Sequence, residues 1–220
     1  MIDAIPHEGS ELRKAYDRRS RAYSWFVAPA EFKYHLRALE LADIQLADQI
    51  LEVATGPGHT LLELVKRVHR DNVVHGVDLS AKMLELAKDY VNKAGYKNIS
   101  LKQSDARELI FPDDSFDVLY NGYMLDLIPF DEMGQVLMEF ARVLKPGGKL
   151  VLLNMSKEMQ SSFSSREFLY QVLPRKLVLY LMGSCRPVLM EPYVNAAGFR
   201  NTHRYYLSGN MPSEVIISSN

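Results

Sequence analysis

The sequence predicts an α/β fold: a doubly wound, mostly parallel sheet with an antiparallel C-terminal hairpin and N-terminal capping helices. Three observations predict it. From about Gln49 to Leu153, short apolar runs alternate with longer segments of helical period. The short runs are almost continuously apolar, as strands covered on both faces of a parallel sheet must be. The chain then closes on two strand-like segments joined by the turn sequence Ser208-Gly209-Asn210.

In chain order, Ser10–Ser24 and Ala30–Ala42 read as helices. The strands of the core fall at Gln49–Val53, Asn72–Val77, Ile99–Gln103, Phe116–Asn121 and Lys149–Asn154. Between the first two, Leu61, Leu62, Leu64, Val65 and Val68 form one helical face; between the second and third, Met83, Leu84, Leu86, Ala87 and Val91 do the same. Leu79-Ser80 supplies the N-cap of that second helix. Ser162–Met182 is an apolar helical segment broken by Pro174, and Gly198–Tyr206 and Ser213–Ser218 are the strands of the edge hairpin. The expected organisation is one domain over 1–220, with a helical cap over 1–45, a ligand-binding core over 46–155, and substrate-side helices and the hairpin over 156–220.

Composition narrows the function. The 220 residues carry 26 Lys+Arg against 27 Asp+Glu, without the basic excess of a nucleic-acid binder, so no nucleic acid is expected as partner. The single cysteine, Cys185, permits no intramolecular disulfide, and the six histidines show no metal-ligand spacing, so no metal is expected. The N-terminus lacks a basic start followed by an apolar run, and Leu177–Met182 is far shorter than the ~20 residues of a bilayer span. A cytoplasmic protein without stable membrane insertion is the expectation; a homodimer stays open.

In doubly wound sheets ligands bind beyond the carboxyl ends of the strands, which directs attention to the loops after Val53, Val77, Gln103 and Tyr120. The first of these is the most informative. In Glu52-Val53-Ala54-Thr55-Gly56-Pro57-Gly58 an apolar strand carrying an acid turns through Gly-x-Gly into a helix. The glycines permit close backbone approach and dihedrals closed to other residues. About twenty residues on, Val77-Asp78 ends the next strand in a carboxylate suited to the hydroxyl pair of a ribose. Ser104-Asp105-Ala106 follows the third strand. A dinucleotide fingerprint would require Gly or Ala where Leu61 stands, and the phosphate-loop pattern G-x-x-x-x-G-K-[ST] is absent. The combination suits a nucleoside without phosphate.

These residues resemble the class I S-adenosylmethionine-dependent methyltransferases. Glu52–Gly58 is similar to their first motif, with Ala54 in place of the usual first glycine. Ser115-Phe116-Asp117-Val118-Leu119-Tyr120 resembles their fourth-strand motif, and Arg142-Val143-Leu144-Lys145-Pro146-Gly147-Gly148 the helix–turn–strand signature that follows. The resemblance implies a seven-stranded Rossmann-like sheet and S-adenosylmethionine as cofactor. It implies cofactor contacts from Glu52, Ala54, Thr55, Gly56, Gly58, Asp78, Leu79, Met83, Ser104, Asp105, Ala106 and Asn121, with Tyr16 and Tyr23 from the cap. Within the class, Tyr23, Ser156-Lys157, Leu173-Pro174-Arg175 and Ala196-Ala197-Gly198-Phe199 look most like the ubiquinone/menaquinone C-methyltransferase group. There the group carries an Arg-Asn pair after the fourth strand; this chain has Asp126-Leu127.

Methyl transfer from a sulfonium is an in-line displacement that needs alignment and exclusion of water. Where the acceptor must lose a proton, a base is needed. Asp126, just beyond Tyr120-Asn121-Gly122, is the candidate for acceptor contact, as base or as counter-charge; the alternative is a capping or loop carboxylate in water. Tyr23 is the second catalytic candidate, by cation–π contact with the sulfonium. Tyr16 and Trp25 have the same chemistry or simply pack the cap. Cys185 beside Arg186 is either a low-pKa thiol or a core residue. The expected activity is methyl transfer to a small-molecule acceptor; C-methylation of a lipid quinone and cofactor binding without turnover are the alternatives.

Overall fold

Ile50–Val53 forms strand β1, buried along its whole length, and its side chains alternate between two cores. Leu51 and Val53 enter one, Ile50 the other. The computed structural model of the chain describes residues 28–159, 165–174 and 186–220. Around β1 run helix α1 (Ala28–Leu41), α2 (His59–Val65), β2 (Val74–Asp78), α3 (Ala81–Lys93), β3 (Ile99–Gln103) and β4 (Phe116–Gly122). A 3-10 turn (Leu125–Leu127) leads into α4 (Phe130–Val143) and β5 (Leu144–Met155). Helices α5 (Ser165–Val172) and α6 (Glu191–Ala196) precede β6 (Arg200–Leu207) and β7 (Ser213–Ser219).

The seven strands lie in the order β3-β2-β1-β4-β5-β7-β6. Neighbours from β3 to β5 pair in parallel; β7 pairs antiparallel with both β5 and β6. This is the expected doubly wound α/β sheet with its edge hairpin. One face carries α4 and α6 through Met133, Val136, Leu137, Phe140 and Val194; the other carries α1, α2 and α3 through Ala38, Leu39, Leu61, Leu64, Ala87 and Val91. At ~1.5–3 kcal/mol for each large apolar side chain removed from water, these two layers dominate the folding energy. The chain order reverses between β2-β1 and β4-β5, so the crevice for a ligand opens above β1 and β4.

The boundaries differ from expectation where local chemistry is ambiguous. Strand β5 begins at Leu144 rather than Lys149, because Phe116 pairs with Leu144 before a register shift to Val118 and Lys149. Helix α5 ends at Val172, two residues ahead of Pro174, so of the expected Ser162–Met182 segment Ser165–Val172 is helical among the described residues. Ser80 caps α3 as expected, its Oγ accepting from Met83 N–H at 3.2 Å. Tyr16, Tyr23, Trp25 and Cys185 lie outside the described residues.

Candidate cofactor site

The turn leaving β1 is built on left-handed backbone. Ala54, Gly56 and Gly58 have φ of 61°, 55° and 89°. Two of these are glycine; Ala54 holds the same region with a Cβ, at a local cost of ~1–2 kcal/mol. A Cβ on Gly58 would stand 2.6 Å from Ala87 Cα, so this glycine lets α2 and α3 pack together. Beside Gly56 nothing lies within 4 Å of a built Cβ, and Gly56 lines a cavity. Thr55 is turned inward, its hydroxyl donating to Val77 O at 3.2 Å and its N–H to the same oxygen at 3.0 Å. Thr55 therefore fastens the loop to the end of β2.

Two carboxylates flank the loop. Asp78 Oδ2 accepts from Gly56 N–H at 2.9 Å and Oδ1 from Ser80 N–H at 2.8 Å, which fixes the acid over the crevice. Glu52 is 3% exposed and lines the cavity with Ala54, Thr55, Gly56 and Thr60. Among the described residues its Oε2 has no hydrogen-bond partner. Burial first, and the charge of Asp78 second, push its carboxyl well above the ordinary range. A buried acceptor with nothing to accept from is costly, and a cationic ligand group would relieve it.

The remaining expected residues divide. Ser104 N–H donates to Asp78 O at 3.2 Å, bringing the third loop against the second, and Leu79 O accepts from Gln103 Nε2 at 2.9 Å. The Asp105 carboxylate takes three bonds from Arg107: from N–H at 2.9 Å, Nε at 3.0 Å and Nη2 at 2.7 Å. Those bonds hold its pKa below the usual carboxylate range, and Arg107 is anchored in turn by Glu132 at 2.7 Å. Met83 is buried in the first turn of α3, and Ala106 packs against the core. Asn121 is also buried, its amide donating to Val53 O at 2.9 Å, so its visible work is to join the ends of β4 and β1.

The opposite wall comes from α1, through Glu31, Phe32 and His35, with Gly122 from the end of β4. His35 Nδ1 lies 2.8 Å from Tyr120 Oη and 3.0 Å from Thr60 Oγ1. Sequence reasoning singled out neither Glu31 nor His35. The available signal was position: His35 falls on the apolar face of α1 between Tyr34, Ala38 and Leu39. His59 lines the cavity too, edge-on to Tyr90 at 4.6 Å.

Asp126 does not line this cavity. It is fully buried in the 3-10 turn, with Oδ2 accepting from Met155 N–H at 3.4 Å, and Arg186 donates to its backbone oxygen at 2.6 Å. A loop carboxylate in water is therefore not what is found. Its charge, with burial as the larger cause, helps raise the Tyr123 phenol.

The donor set fits S-adenosylmethionine. Glu52 would face the cationic methionyl end, the left-handed loop would let the ligand approach the backbone, and Asp78 would take the ribose hydroxyls. Among the described residues no group of three or more His, Cys, Asp or Glu could hold a metal ion. The methyltransferase domain family matches residues 50–148. The demethylmenaquinone methyltransferase of Listeria welshimeri is 32% identical over 151 residues, 67% of this chain and 63% of that protein. The chain thus spans about 63% of that relative's length. Among solved structures, the [4+2]-cyclase SpnF superposes with a TM-score of 0.76 at 17% identity, covering 100% of this chain and 99% of that one. N-methyltransferase NodS from Bradyrhizobium japonicum, in complex with S-adenosyl-L-homocysteine, gives 0.71 at 14% identity over 95% of this chain and 98% of that one. Those two likenesses concern the fold alone. The methyltransferase-domain match over residues 50–148 contains the glycine loop and its two acids, Glu52 and Asp78.

Proposed function

We propose that the protein transfers a methyl group from S-adenosylmethionine to a small-molecule acceptor. The observation that carries this reading is Glu52: a buried carboxylate, without a partner for Oε2 among the described residues, in the wall of a cavity above the β1–β4 switch point. When bound, the cofactor supplies an electrophilic methyl carbon on a sulfonium. The chain binds and orients it through Glu52, the Ala54–Gly58 loop, Asp78 and the Asp105 loop, and keeps water from the reaction. On the acceptor side we assign Asp126 as base or counter-charge, working with Tyr123. Tyr23 and Tyr16 complete the cofactor set from the cap.

For the acceptor, the 32% identity to a demethylmenaquinone methyltransferase favours an aromatic quinol and C-methylation. Asp126-Leu127, in place of the Arg-Asn pair of the quinone enzymes, favours a polar metabolite. A further reading is cofactor binding without methyl transfer, since Glu52, Asp78 and Asp105 serve binding whether or not an acceptor site is present. We place the protein in the cytoplasm, with no nucleic-acid partner; among the described residues no helix is long and apolar enough to cross a membrane.

The test uses methyl-labelled S-adenosylmethionine with reduced demethylmenaquinone in detergent, or with a pool of polar metabolites, and Asp78→Ala as control. Label in the organic phase supports the quinol, label in an aqueous product the polar acceptor. No label above the control in either phase leaves the binding-only reading standing.

A further inference from the structure

No motif of the chain accounts for His35. Its Nδ1 lies within hydrogen-bond distance of two hydroxyls, Tyr120 Oη at 2.8 Å and Thr60 Oγ1 at 3.0 Å. It thereby links α1 to the end of β4 and to the first turn of α2. The structure leaves room for the ring at Gly122, where a Cβ would stand 2.6 Å from His35 Cε1 and 3.1 Å from Nδ1. Its surroundings are the apolar layer of Tyr34, Ala38, Leu39 and Tyr123, where an aliphatic side chain would pack without desolvating an imidazole.

Electrostatics keep the ring neutral. Burial, then the neighbouring His59, lower its pKa to about 3. In the neutral tautomer that carries its proton on Nε2, Nδ1 accepts one hydrogen bond, and a Thr60 hydroxyl that donates to it has its oxygen lone pairs left for other neighbours. Thr60 lines the same cavity as Glu52 and His35, so the lone pairs that His35 frees belong to the wall facing a bound cation. A protonated ring there would instead repel that cation.

We propose that His35 is a positioning residue of the cofactor pocket: by orienting the hydroxyl of Thr60, it makes the wall favour the sulfonium of S-adenosylmethionine over the thioether of S-adenosylhomocysteine. The inference rests on the cavity being the cofactor site. Its role is discrimination between substrate and product forms of the cofactor, so it is read in binding without any acceptor.

Calorimetric titration of S-adenosylmethionine and S-adenosylhomocysteine into the wild type, His35→Phe and His35→Asn tests it. Phe keeps the ring volume; Asn keeps a polar group near the place of Nδ1. In His35→Phe, S-adenosylmethionine affinity is expected to fall about fivefold or more, the scale of one hydrogen bond, while the thioether changes by about twofold or less. His35→Asn should recover most of the lost discrimination. Equal weakening of both ligands, or an Asn variant no better than Phe, overturns the proposal. Should His35→Phe fail to fold, Thr60→Val must lower the same affinity ratio, and an unchanged ratio there overturns it equally. A wild type that binds neither ligand refutes the pocket reading itself, and the proposal with it.

Discussion

Asp78 and Gly56 are joined directly: the Gly56 N–H donates to Asp78 Oδ2 at 2.9 Å, from the loop after β1 to the end of β2. The acid that would hold the ribose therefore also sets the loop that would meet the methionyl end. Replacing it with alanine removes a charged acceptor from the ligand and a tether from the loop. Asp78→Ala is expected to weaken S-adenosylmethionine binding by about 1.5–3 kcal/mol, the range for hydrogen bonds to a charged group, or about tenfold to 150-fold in Kd. Calorimetry on the purified variant checks it; unchanged affinity removes Asp78 from the cofactor site.

The two glycines of the loop should respond differently to alanine. Gly58 combines a φ of 89° with a Cβ position 2.6 Å from Ala87 Cα, a backbone atom that cannot step aside. Gly58→Ala should cost about 3 kcal/mol or more, combining left-handed strain with overpacking at α3. Gly56 has φ 55° and open space around the Cβ position, so Gly56→Ala should cost only about 1–2 kcal/mol of stability. Because that open space is the cavity, Gly56→Ala should act mainly on cofactor affinity. Urea unfolding with and without S-adenosylmethionine separates the two; equal stability loss in both variants contradicts the argument.

Glu52 ties stability to pH. Burial, then Asp78, raise its carboxyl well above 4.5, so the folded chain binds this proton more tightly than the unfolded one. The stability it contributes is complete below about pH 4.5 and is lost as pH rises through the raised folded value. Glu52→Gln keeps the shape without the charge. At pH 8 it should stabilise the ligand-free protein by about 1–3 kcal/mol over wild type, with the difference closing toward pH 4. The same variant should bind S-adenosylmethionine more weakly, since the cation loses its buried counter-charge. Urea unfolding across pH 4–8 tests the first statement; a constant difference across that range would sink it.

Much of this was legible from residue order. The first-strand turn, the acid at Asp78, the Ser80 cap and the edge hairpin follow from local rules of period, turn chemistry and capping, and β3 spans Ile99–Gln103 as expected. The start of β5 was not legible, because Lys145–Gly148 reads as a turn while Leu144 pairs with Phe116 across a register shift. Nor were the non-local contacts. His35 and Tyr120 are 85 residues apart, and Arg186 reaches Asp126 across 60, distances over which periodicity carries no information. Arg107 escaped because its role is defined by Asp105 and Glu132 together. Asn121, a cofactor contact by resemblance, also joins β4 to β1 through its amide, a bond that residue order does not reveal.

Asp126 offers a clean separation of charge from structure. Its backbone oxygen is held by Arg186 at 2.6 Å, and Arg186 also donates to Ile128 O at 2.7 Å, so the 3-10 turn keeps its anchor whatever the side chain. Asparagine retains the volume and one acceptor oxygen for Met155 N–H, while the charge is lost and the second oxygen becomes an amide NH2. If that charge serves the acceptor, Asp126→Asn should lower turnover by about 10²-fold or more, the scale of general base catalysis, with S-adenosylmethionine affinity within about twofold of wild type. Asp126→Ala should in addition destabilise the fold by about 1–3 kcal/mol, because a buried donor loses its acceptor. Turnover of methyl-labelled cofactor and melting curves on both variants decide it. Full activity in Asp126→Asn would confine the carboxylate to joining the 3-10 turn to β5.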